Sequence, residues 1–145
     1  MKSKILFFDS LENTKRGALR CIIIFPIFII LTLMWLFFTK KSLYDEHIDD
    51  VHGSRYIVSL AVSGLLIVSA LGVHDPDNIT TAVTYAALIG LVIYGVTNSV
   101  LLATLNKWDY TISVIDILWG TASTTFLGYI LYIIVNKFSN TLAPI

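Results

Sequence analysis

Apolar residues fall in four long runs, at 19–39, 56–73, 79–105 and 111–135, and the charged residues collect between them. A helix needs about 20 predominantly apolar residues to cross roughly 30 Å of hydrocarbon, and each run reaches or nearly reaches that length. The pattern predicts an all-α, polytopic membrane protein. Short connections between the runs predict antiparallel neighbours. The expected architecture is therefore an antiparallel four-helix transmembrane bundle, one domain over residues 1–145.

The connections carry local signals. Asp75, Pro76, Asp77 and Asn78 combine a proline with residues that favour turns and caps, so Asn78 or Asp77 is suited to cap the third helix. Asp109 is similarly placed before the fourth. Pro26 removes the hydrogen bond to the carbonyl of Ile22 and predicts a bend near the start of the first span. Ser59 with Ser63, Ala86 with Gly90, and Asp116 with Gly120 recur at four-residue spacing. Such positions let helices approach closely in lipid, where burying apolar surface gains nothing.

Residues 1–18 do not read as a signal peptide. The first apolar run begins late, is longer than an h-region, and no small-residue cleavage site follows it. Ile5, Phe8 and Leu11 lie near one helical face, with Lys2, Lys4, Lys15 and Arg16 around them. The segment suits either a membrane-surface helix or a frayed terminus.

Composition sharpens the class. Apolar residues make up 56% of the chain, against about 45–50% in soluble domains. Charged residues are only 14% and the mean hydropathy is +0.78. That is too little charge to cover a soluble surface, so lipid must cover part of it. A net charge of +0 gives no electrostatic reason for a nucleic-acid partner. Three histidines and one cysteine argue against a zinc or iron–sulfur centre, and no cofactor is expected. Cys21 reads as a small buried or lipid-facing hydrophobe.

Lysine and arginine set the expected orientation. Lys2, Lys4, Lys15, Arg16, Arg20 and Lys137 fall on one side, against Lys40, Lys41, Arg55 and Lys107 on the other. The excess places both termini in the cytosol.

Two polar residues interrupt the apolar runs at matching depth. Asp116 lies early in the fourth run and Asn98 late in the third. At 1.5 Å per residue both sit roughly 8–11 Å below the same surface. A carboxylate in mid-membrane costs at least ~2.5–3.5 kcal/mol, so Asp116 should face the bundle. Asn98, Tyr94, Thr97 and Ser123 are candidate hydrogen-bond partners, and Arg55 or Lys107 a candidate counter-ion. Trp119, one turn beyond, should pack inside the bundle. Trp35, Tyr56, Trp108 and Tyr110 sit at the boundaries of the runs, as an aromatic belt does. The intramembrane cluster of Asp116, Asn98, Tyr94, Thr97 and Trp119 admits two readings. One is an interhelical clasp; the other is a proton, cation or headgroup site using Asp116.

The first connection holds Asp45, Glu46, His47, Asp49, Asp50 and His52. Its spacing fits no regular zinc or calcium loop, so it reads as a solvated acidic loop that can offer a docking patch to a basic partner. No nucleophile–base pairing is visible in the chain, and no catalytic residues are assigned.

The residues of the third and fourth runs also carry a resemblance. Tyr94, Gly95, Ala103, Thr104, Leu105, Trp108, Asp116, Trp119 and Gly120, with Trp35, Leu36, Leu43 and Tyr44 earlier, resemble the pattern of domain-of-unknown-function family 2177. That family comprises small predicted membrane proteins with no established activity. Asn98 stands where the family pattern has an aspartate, Thr32 where it has another, and Val100 and Leu101 where it has threonine and asparagine. The resemblance implies a weakened polar centre in which Asp116 remains as the acid. It also implies, from the family's distribution, a bacterial or large-DNA-virus setting. The expectation is a non-enzymatic assembly or anchoring protein of a membrane, such as that of a virus particle. Its partners would be the bilayer and other membrane or capsid-type proteins. A small proton-coupled transporter using Asp116 is the alternative, and an interfacial enzyme a third reading.

Overall fold

In a computed structural model, the backbone is described for residues 2–39, 53–73 and 76–142, and side chains for 15–39, 62–72 and 76–136. Four helices account for nearly all of it: α1 (Lys2–Thr39), α2 (Gly53–Val73), α3 (Ile79–Thr104) and α4 (Tyr110–Leu142). There is no strand among the described residues. Among the described residues, three helices are long and apolar enough to cross a membrane, over Lys15–Thr39, Ile79–Thr104 and Tyr110–Asn136. α2 is 21 residues long, and its described side chains include a shorter apolar stretch, Val62–Gly72.

Two helices run further than the hydrophobic pattern predicts. α1 begins at Lys2 rather than near residue 19, so residues 2–18 continue the first helix without a break. No glycine or proline precedes Gly17, so nothing in the segment stops a helix that the span has nucleated. α4 continues past residue 135 to Leu142, through a polar stretch that also lacks a helix breaker. Hydropathy marks where lipid ends, and the helix need not end there. Pro26 lies inside α1 with its ring exposed.

The helix ends near the turns are built as the sequence suggests. The Asn78 side chain accepts from the Thr81 backbone N–H at 2.9 Å and caps α3. Asp109 Oδ1 accepts from the Ile112 N–H at 2.9 Å and does the same for α4. Each bond satisfies a backbone donor that the first turn of a helix leaves open.

α3 packs most extensively on α4, and α1 on α2; the pairs meet through α1 with α4 and α2 with α3. The α3–α4 contacts join Ala86 to Gly128, Gly90 to Thr124, Tyr94 to Gly120 and Asn98 to Asp116, so the register falls along α4 as it rises along α3. Small residues make this approach close. A methyl group on Gly90 would meet the Thr124 hydroxyl and lie 2.9 Å from the Gly120 carbonyl oxygen. One on Gly120 would enter the Tyr94 ring. A shared core joins all four helices through Ile24, Phe28, Ile67, Val68, Ala86 and Leu127.

The outer faces are apolar. Ile22, Leu33, Phe37, Leu65, Val92 and Leu118 are among the large side chains left exposed. Water would penalise such a surface, whereas hydrocarbon covers it at no cost.

Candidate functional site

The polar cluster forms where the end of α3, the turn after it and the start of α4 converge. Asn98 is its hub and is 0% exposed. Its amide nitrogen donates to Asp116 Oδ2 at 2.8 Å and to the Tyr94 carbonyl at 3.0 Å. Its amide oxygen accepts from the Trp108 indole N–H at 3.2 Å. Both amide hydrogens and the carbonyl oxygen are thus engaged. Asp116 itself is half-buried.

Trp108 completes the cluster from the turn. It is 6% exposed, and its indole N–H is shared between Asn98 and the Ser113 hydroxyl at 3.0 Å. The aromatic-belt assignment of Trp108 is therefore corrected: the ring turns inward. The reason is local. Trp108 N–H bonds to the Leu105 carbonyl, which folds the turn back over the helix ends, and buried Asn98 offers the indole an acceptor. Ser113, also buried, had no signal beyond its place four residues after Asp109, whose carbonyl its hydroxyl bonds at 3.0 Å.

The other predicted partners divide. Tyr94 contributes its backbone carbonyl to Asn98, and its ring lies against Gly120. Thr97 is exposed on the outer face of α3 and does not join the cluster, because one residue along a helix turns the side chain by about 100°. Ser123 is buried, yet its hydroxyl bonds the Gly120 carbonyl at 3.1 Å rather than Asp116. Lys107 is exposed, and the side chain of Arg55 lies outside the described residues. The loop with Asp45, Glu46, His47, Asp49 and Asp50 also lies outside them.

Trp119 and Trp35 meet across α1 and α4. Their rings stack at 4.5 Å between centroids and 6° between planes. The boundary-belt expectation for Trp35 is corrected in turn, because its ring is half-buried against α4. Tyr110, by contrast, is exposed at the start of α4, where a belt residue belongs.

Most other intramembrane hydroxyls are spent within their own helix. Thr121, Thr124 and Thr125 bond the carbonyls of Ile117, Gly120 and Thr121 at 2.6–2.8 Å. Thr32 bonds Phe28 and Ser99 bonds Gly95 in the same way. These groups need no partner from another helix. Asn98 and Asp116 are different, because a carboxamide and a carboxylate ask for more than one back-bond supplies.

The family described as Predicted membrane protein (DUF2177) matches residues 18–133. The chain belongs to that family. No curated protein and no solved structure matches it. The DUF2177 match includes Trp35, Trp119 and the whole Asn98–Trp108–Asp116 cluster. Trp35, Trp108, Asp116 and Trp119, which carry the resemblance, take part in these contacts, whereas Asn98, on the α3 side of the bond to Asp116, departs from the family pattern.

Proposed function

We propose that this DUF2177 protein is a non-catalytic assembly or anchoring component of a membrane, in which four spans present a fixed bundle with both termini on the cytosolic side. One observation carries the reading. The Asn98 amide is saturated by Asp116, Tyr94 and Trp108, so the polar centre is used to hold helices together. An amide in the place of an acid suits a clasp, since it both donates and accepts without charge. The acidic loop of Asp45, Glu46, His47, Asp49 and Asp50 would then face a partner of basic character, a membrane or capsid-type protein. The internal membrane of a virus particle is one setting in which such an anchor serves.

The test is isolation of the full chain from its native membrane in mild detergent. A stable complex with another protein is expected. Recovery of the chain always by itself, at native abundance, would contradict the reading.

Proton-coupled transport is the second reading, because Asp116 is half-buried rather than sealed. Asp116→Asn separates the two. A clasp keeps its geometry, since the new amide oxygen still accepts from Asn98. A proton carrier loses transport while staying folded.

A further inference from the structure

We draw no further inference here: the strongest candidate, the open apolar groove on the outer face of α3 along Gly95, Ser99 and Ala103, flanked by Val92, Val96 and Val100, rests on a stripe of small residues, and nothing in the structure shows what covers it.

Discussion

Asn98 and Asp116 face each other across the α3–α4 interface, with the amide nitrogen 2.8 Å from the carboxylate oxygen. The contact lies six residues from the end of α3 and six from the start of α4. It therefore sits about 9 Å along each helix from the turn that joins them. Trp108 in that turn closes over it. Along the same interface lie close contacts of small residues, Ala86 with Gly128 and Gly90 with Thr124.

Trp108→Phe keeps an aromatic ring but removes the indole donor. Buried Asn98 then loses the partner of its carbonyl oxygen, and stability should fall by about 1–3 kcal/mol. Ser113→Ala leaves the indole bonded to Asn98 and should cost less than about 1 kcal/mol. Reversible unfolding in mixed micelles measures both. Equal losses would remove Asn98 from the account of Trp108.

Glycines on the inner and outer faces should respond in opposite ways. Gly90→Ala forces a methyl group against Thr124 and the α4 backbone and should cost about 1–3 kcal/mol. Gly95 has nothing within 4 Å of the added carbon. Gly95→Ala should be neutral, or stabilising by up to about 0.5–1 kcal/mol from helix propensity. The same unfolding assay decides, and a destabilised Gly95→Ala would show that another surface covers that face.

The Trp35–Trp119 stack predicts coupling between α1 and α4. A double-mutant cycle with leucine at each position should return about 0.5–1.5 kcal/mol beyond the loss of area. Additive losses would mean that the rings do not meet in the membrane.

Thr97 offers a control. It is exposed one residue away from Asn98, and Thr97→Val should change stability by no more than about 0.5 kcal/mol. A larger loss would return Thr97 to the cluster from which its position on the helix removes it.

How much of this was legible in the sequence follows from the physics of each feature. The helices were legible because hydrocarbon imposes a minimum apolar length, and the caps because Asn78 and Asp109 stand immediately before apolar runs. The depth match of Asn98 and Asp116 was legible because rise per residue is fixed. The true ends of α1 and α4 were not, since helices continue into water when no residue breaks them. Trp108 misled because a tryptophan at a span boundary has the same sequence position whether its ring faces lipid or the helix interface. Thr97 misled because depth along a helix says nothing about direction around it. Trp35 and Trp119 lie in runs far apart in sequence, and only packing of α1 on α4 brings them together.

A double-mutant cycle between Asn98→Ala and Asp116→Ala, with unfolding free energies measured in a lipid or mixed-micelle environment, tests the clasp most directly. The structure predicts a favourable coupling of about 0.6–2 kcal/mol, the range found for interhelical polar pairs in membranes. Strictly additive losses from the two substitutions would contradict it.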